Sequence, residues 1–265
     1  MSITTSNQAF SGQRQPVQFQ KSTGTMEAAG VAHSLLYVAG GAGFAPTPGI
    51  SGAALTSYAG QLPFVNPTLG LSSYNFLLEA ISTASCSLIV YDRLWHNSGI
   101  SATTTTAQTV NSAAFPARDN AGTTSGEGVM AALEVSTATT NAGAIANCTI
   151  SYTNSLGVSG HTATMPSFPS TAVAGTFVPF LLQAGDTGVQ SIQSLTLGTS
   201  LAAGTVHLVA YRPLVFMGLV NYIANRVDFT QNFTRLYDNT VPMLLVLPSS
   251  TTALNIQGQW ACTQG

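Results

Sequence analysis

The apolar residues of this chain come in short runs. The densest, Pro213 to Val220 and Val241 to Leu247, are strand-sized, and none approaches the ~18 consecutive apolar residues of a membrane-spanning helix. Between such runs the sequence inserts clusters of Gly, Pro, Ser and Thr. Alternation at period two puts successive side chains on opposite faces of an extended chain. Short alternating runs bounded by turn residues predict many strands and little helix.

The clearest case is a hairpin. Ala144 to Tyr152 (AIANCTISY) alternates, with Ala146, Cys148, Ile150 and Tyr152 on one parity as the expected buried face. Asn154-Ser155-Leu156-Gly157 reads as the turn, and Val158 to Met165 as the returning strand. Further strands are expected at Ala32 to Val38, Asn75 to Ala84, Ser85 to Leu94, Val129 to Ser136, Thr176 to Leu182, Val189 to Leu197, Thr205 to Tyr211, Val241 to Leu247 and Ala253 to Cys262. Pro179 lacks a backbone donor, which predicts an edge or a bulge for its strand. Residues 40 to 70 read as a long connection with one helical turn near Ala53 to Ala59. Leu214 to Arg226 is the one helical candidate, because Leu219, Tyr222 and Ile223 fall at helical spacing. Two strands echo one another: Ser87 to Leu94 and Val206 to Leu214 both end an apolar run with Tyr and Arg.

Residues 1–30 are polar, Gln-rich and without periodicity, and predict an extended N-terminal arm, a clasp ordered on assembly. Residues 31–265 then form one domain. Its expected class is all-β, an antiparallel β-sandwich that is jelly-roll-like.

Charge narrows the function. Of 265 residues, 6% are charged, the net charge is −2, and Lys21 is the only lysine. Average globular usage is about 25% charged. With 12 Phe, 8 Tyr and 2 Trp, the composition is not that of a disordered chain. The polar surface must therefore be mostly Ser, Thr, Asn, Gln and Gly. Such a surface can be covered by another protein without stranding ions, which predicts an oligomer or a component of an assembly. Seven dispersed basic residues provide no footprint for nucleic acid.

No catalytic constellation emerges, so the expectation is a non-enzyme with no catalytic, cofactor-binding or metal residues. His33, His96, His161 and His207 are isolated. His207 lies in an apolar strand and reads as a core or interface histidine. Asp92 and His96 have a spacing that could begin a metal site, but no further ligands gather around them. Asp92-Arg93 itself reads as a capped strand end or a local ion pair. The nine carboxylates are scattered, where a glycosidase needs a close pair. Gly126-Glu127-Gly128 and Gly40-Gly41-Ala42-Gly43 lack the lysine of a phosphate loop. Cys86, Cys148 and Cys262 are odd in number and far apart, which is no disulfide framework. The opening Met-Ser-Ile-Thr-Thr lacks the charged and apolar regions of a secretory signal. The expectation is synthesis in a cytoplasm, with the sequons at Asn147 and Asn232 unused.

Two segments carry a family resemblance. Residues 88–111 (LIVYDRLWHNSGISATTTTAQTVN) and 148–166 (CTISYTNSLGVSGHTATMP) are similar to a family of tailed-bacteriophage virion structural proteins. In that family a strand ending in YDRL precedes a GLSGT-like loop and TVN, and a later hairpin reads SYTNSxGxxGRTAT. Here Ile100-Ser101-Ala102 replaces the Leu-Ser-Gly form, and His161 stands in place of Arg. The two segments cover roughly a sixth of the chain, with weaker similarity around 36–70 and 203–215. The resemblance implies a capsid decoration or cement protein on the virion surface, made in the host cytoplasm. Its partners would be the major capsid protein and copies of itself, with no nucleic acid and no membrane. A receptor- or glycan-binding head or tail appendage is the alternative. A shell-forming jelly-roll coat protein is the third.

Overall fold

The computed structural model describes residues 3–42 and 49–265. It is nearly all-β, with 46% strand and 4% helix. In chain order the elements are α1 (Ser6–Ser11), β1 (Val17–Ser22), β2 (Ala32–Ser34), the 3-10 turn η1 (Leu35–Tyr37), β3 (Ala53–Ala54), β4 (Ser73–Ser82), β5 (Cys86–Ile100) and β6 (Gln108–Thr109). There follow β7 (Met130–Thr137), β8 (Cys148–Asn154), β9 (His161–Met165), β10 (Thr176–Pro179), β11 (Val189–Thr196) and β12 (Thr205–Leu219). The chain closes with β13 (Asn225–Asp228), β14 (Arg235–Leu236), β15 (Pro242–Pro248) and β16 (Asn255–Gln264). No helix among the described residues is long and apolar enough to cross a membrane.

The expected antiparallel fold forms, and its central sheet closes on itself. The pairing order β12-β7-β10-β2-β15-β5 ends where β5 pairs back with β12. Every pairing around this ring is antiparallel. Closure gives every ring strand a partner on both sides, with short β2 covering only two residues of each neighbour. Tyr91, Ala132, Phe177, Val209, Tyr211, Met243 and Leu245 form one apolar cluster to which five ring strands contribute, and Ala32 of β2 packs against it.

The opposite parity of the same strands faces outward and is covered twice. At one end Ala131, Leu133 and Val135 of β7, with Leu208 and Ala210 of β12, pack against Cys148, Ile150, Ile192 and Leu195. These last belong to a four-stranded sheet ordered β6-β11-β8-β9. At the other end Leu88 and Val90 of β5, with Val215 and Met217 of β12, pack against Phe19, Leu78, Ile256 and Trp260. Those belong to a sheet ordered β1-β16-β4-β13, with β14 also on β4. The long strands β5 and β12, 15 residues each, run through both layers.

The echo between residues 87–94 and 206–214 is explained here: they are partners, with Arg93 opposite Tyr211 and Asp92 opposite Arg212.

Several sequence expectations are corrected. Leu214 to Arg226 is not a helix: β12 runs to Leu219, with Val215, Met217 and Leu219 buried and Phe216 and Gly218 exposed. Tyr222, at φ 56°, lies in the left-handed region that a right-handed helix cannot use. Residues 3–30 are not an unpacked arm. Thr5 and Gln8 form a capping box that starts α1, and β1 pairs with β16 from Val17↔Trp260 to Ser22↔Asn255. Burial of Phe19 and Met26 anchors the segment. β10 is flanked on both sides, by β7 and β2. Pro179 is tolerated because β2 reaches only Thr176 and Phe177, so its missing donor faces no partner there. β8 begins at Cys148, after Asn147 at φ 62° resets the parity, and Ile145 is buried where Ala146 was expected. Ala53–Ala54 pairs with His96 and Trp95 as β3 in place of a helical turn. Part of the 40–70 connection lies outside the described residues.

Gly258 on β16 shows how tightly the second layer is filled. A β-carbon there would lie 2.4 Å from the Glu79 carbonyl oxygen and 2.6 Å from Phe19 Cζ. Gly258→Val should lower stability by about 1–3 kcal/mol, the range for overpacking a filled site. Urea unfolding measures this, and an unchanged midpoint would contradict the packing described.

Candidate functional site

Seven of the sixteen charged residues of this chain are buried, and Glu27, Glu79, Asp186 and Asp228 are half-buried. Lys21, Asp92, Arg93, Arg118, Asp119, Glu134 and Arg212 are buried, and only Arg14, Glu127, Arg226, Arg235 and Asp238 are exposed. The buried set concentrates on β5, β7 and β12, around the level where one outer layer gives way to the other.

Two charged residues adjacent on β5 part to opposite sides of the ring. Arg93 turns inward, where its Nη1 donates to Glu134 Oε1 at 3.0 Å and its Nη2 to Oε2 at 2.6 Å. Both side chains are fully shielded from solvent. The Tyr37 hydroxyl donates to Glu134 Oε2 at 3.2 Å, and the Arg93 guanidinium lies 4.9 Å from the centre of the Tyr58 ring. Burial opposes the charge on Glu134, but Arg93 outweighs it and holds the carboxyl below its usual range. Burial likewise opposes the charge on Arg93, and Glu134 returns it to well above the ordinary value. The pair is ionised. Burial pushes the Tyr58 hydroxyl up to about 12 and the Tyr37 hydroxyl higher still.

A β-bulge brings His96 to the same cluster. Residues three apart on a regular strand face opposite sides. The register shifts between Tyr211↔Arg93 and Ala210↔Trp95, which leaves Leu94 as the extra residue. Leu94 and Trp95 therefore both enter the outer core, and Arg93 and His96 both face inward. Arg93 Nη2 lies 2.7 Å from His96 Nδ1. A guanidinium can only donate, so Nδ1 accepts and His96 is neutral, with Nε2 donating to Ser98 Oγ at 2.8 Å. His207 of β12, opposite Glu134, lies against His96 with the ring planes tilted by 45° and the ring centres 4.6 Å apart.

Asp92 faces outward and is held by a loop. Arg118 Nε donates to Asp92 Oδ2 at 2.9 Å and Nη2 to Oδ1 at 3.1 Å. Arg118 Nη1 reaches the Leu55 carbonyl at 2.8 Å, and the Val241 amide donates to Asp92 Oδ1 at 2.8 Å. The next residue, Asp119, fixes the loop itself by accepting from Thr123, Ser125 and Gly126. Arg212, opposite Asp92, gives its Nη2 to the Arg235 carbonyl at 3.1 Å and lies against Tyr237.

The expected local ion pair at Asp92-Arg93 is thus two long-range pairs, to Arg118 and Glu134. Asp92 and His96 diverge, and among the described residues no group of three His, Cys, Asp or Glu side chains converges as metal ligands would. His33 pairs with Glu27 at 3.2 Å. His161 Nδ1 donates to Asp186 Oδ2 at 2.7 Å. Asp186 also accepts from Asn154 Nδ2 at 2.8 Å and from Tyr152, tying the hairpin tip to the 181–188 loop. The three cysteines are free thiols.

Known protein families and curated proteins offer no match to this chain. Among solved structures, it is similar to the VP2 subviral particle of infectious bursal disease virus, at 9% identity and a TM-score of 0.22, covering 95% of this chain and 80% of that one. The Gt strain of the same virus gives 11% identity and a TM-score of 0.21, covering 96% and 81%. The T13 particle of that virus gives 10% and 0.22, covering 94% and 77%. Scores of this size decide nothing about the function of this chain.

What remains outside is a neutral surface with three distinct faces. Gln18, Gln20, Gln257 and Gln259, with one carboxylate, Glu79, line an open groove of about 620 Å³ on the β1-β16-β4 sheet. Leu156, Val158 and Leu181 are exposed near the tip of the β8–β9 hairpin. Phe216, Val220, Tyr222 and Ile223 are exposed at the end of β12 and the turn after it. None of these faces assembles groups for covalent chemistry.

Sequence reasoning singled out Asp92, Arg93, His96 and His207 but missed Glu134, Arg118, Tyr37 and Tyr58 as their partners. The available signal was a charge set within an apolar strand, as Glu134 is in VMAALEVS and Arg212 in LVAYRPLVF.

Arg118→Met should cost about 3–5 kcal/mol, because it leaves the Asp92 carboxylate buried without its cation. Denaturant unfolding tests this. A loss below about 1 kcal/mol, the range of an exposed pair, would show that Asp92 is solvated.

Proposed function

We propose that this chain is a virion structural protein that binds the outside of a capsid and stabilises it, a decoration or cement protein contacting the major capsid protein and further copies of itself. The observation that carries the reading is the location of charge. Among the described residues only five charged side chains are exposed. Apart from the half-buried Glu27, Glu79, Asp186 and Asp228, the rest of the surface is neutral hydrogen-bonding groups with separate apolar patches. Covering such a surface costs little desolvation, whereas a protein kept monomeric and soluble by repulsion would carry more outward charge. The YDRL and SYTNS segments support the same reading: one builds the buried ion network, the other the protruding hairpin. In this reading the protein is not an enzyme and takes no cofactor, and its place is the capsid surface.

One observation favours a second reading, a glycan-binding appendage. Phe10, Phe76 and Phe229 stack edge and face within 5.5 Å of one another, and Phe10 is 59% exposed. Aromatic faces at a surface suit sugar rings. Most of this stack is consumed by its own packing under α1, so the first reading stands ahead.

The experiment is retention on purified particles. Contacts made of neutral groups are screened little by salt, so the protein should stay bound up to about 1 M salt, where the screening length is ~3 Å. Particles lacking it should release their genome at a lower temperature. Loss at moderate salt, or full retention with unchanged particle stability, would contradict the proposal.

A further inference from the structure

The two imidazoles in contact inside the ring have no carboxylate of their own. His96 is fully buried and His207 is 4% exposed. The titratable and charged groups around them are Tyr91 and Arg93 from β5, Glu134 from β7, Tyr211 from β12, Tyr37 from η1 and Tyr58 from the segment after β3. The ring residues that β2, β10 and β15 add to the interior cluster, Ala32, Phe177, Met243 and Leu245, are not ionisable. The cluster holds one cation and one anion, and the anion is already engaged by the cation through two hydrogen bonds.

We propose that His96 and His207 form an acid-sensitive latch: protonating either one places a second cation against Arg93 and loosens the ring at the level where the two outer layers meet on β5 and β12. The geometry supplies the mechanism. His96 accepts from Arg93 through Nδ1, so a proton on that nitrogen must break the bond. A proton on His207 puts a charge 4.6 Å, ring to ring, from His96 and brings a rival for Glu134 across the strand pair. Either event leaves a buried net positive charge, which is costly in a low-dielectric interior. A latch at the bulge sits where slackening would uncouple the layers, because β5 and β12 are shared by both.

The sign of the effect is fixed. Burial, then Arg93 and the neighbouring ring, push the His96 pKa far down, and burial lowers that of His207 with Glu134 opposing. The unfolded chain has imidazoles near the ordinary value of about 6.5, so it binds more protons than the folded chain as pH drops, and stability falls from about pH 6.5 downward. Glu134, whose pKa is depressed, works in another window: its contribution is lost only as pH falls below about 4.3. The interval from about pH 6.5 to 5 therefore isolates the histidines.

The test uses the isolated full chain and needs no particle, so its outcome is separate from that of the capsid experiment. Urea unfolding of the wild type between pH 8 and 5 should show an unfolding constant that rises below pH 6.5 by up to about tenfold per pH unit for each histidine that titrates. In His207→Gln, and in His96→Gln, which keeps an acceptor for Arg93, that rise should shrink while the His33–Glu27 and His161–Asp186 pairs remain. Wild-type hydrogen exchange gives a second reading should a variant fail to fold. At pH 5.5, after correction for intrinsic rates, amides of residues 93–97 and 206–211 should open more than at pH 7.5, ahead of β8 and β16. An equal pH slope in both variants, or exchange that rises uniformly over the chain, would overturn the latch.

Discussion

The fully buried pair of Arg93 and Glu134 is the interaction on which the rest of this structure depends. Two ionised groups in an apolar ring are tolerable only if each satisfies the other. The bidentate geometry, at 3.0 and 2.6 Å, does this and ties β5 to β7, strands that share no ladder in the ring. The Leu94 bulge turns His96 inward beside that pair, and Tyr37 and Tyr58 pack against it. Asp92, one residue earlier, does the equivalent on the outside by fastening the Arg118 loop.

This placement explains how a chain with so few charges uses them. Ions at the surface would contribute little to stability and would raise the cost of covering the surface. Placed inside, they specify strand register, because a one-residue slip would turn Arg93 or Glu134 to the wrong side. The exterior is left largely to amides, hydroxyls and two apolar faces. A neutral exterior and an ionic interior are two aspects of one arrangement, and the proposed role in an assembly draws on both.

The sequence made the strands legible where period two was clean. The β8–β9 hairpin, β4, β11 and β16 fall close to expectation where burial alternates along the strand, and β7 and β15 do so as short apolar runs buried on both faces. It failed where tertiary contact overrode local pattern. Residues 3–30 looked unpacked because Gln-rich β1 faces a groove on one side, and Phe19 and Met26 are the only large apolar side chains that mark the buried side. Leu214 to Arg226 looked helical because apolar residues cover both faces of β12 near its end. Closure of the ring was not legible, since a pairing between β5 and β12 more than a hundred residues apart leaves no local signal beyond the YDRL and YRPL echo. The ion network was half legible: charges within apolar strands announce partners but do not name them, and Arg118 sits in a loop with no periodicity.

The most direct measurement is a double-mutant cycle on Arg93 and Glu134, with stability read by urea unfolding at pH 7.5. Arg93→Met and Glu134→Leu should each cost about 3–5 kcal/mol, because each strands a buried charge. The double variant, with no charge left to strand, should cost far less than their sum. Additive losses would contradict the account. They would mean that the two residues stabilise the fold independently, and that the ring is not organised around their pairing.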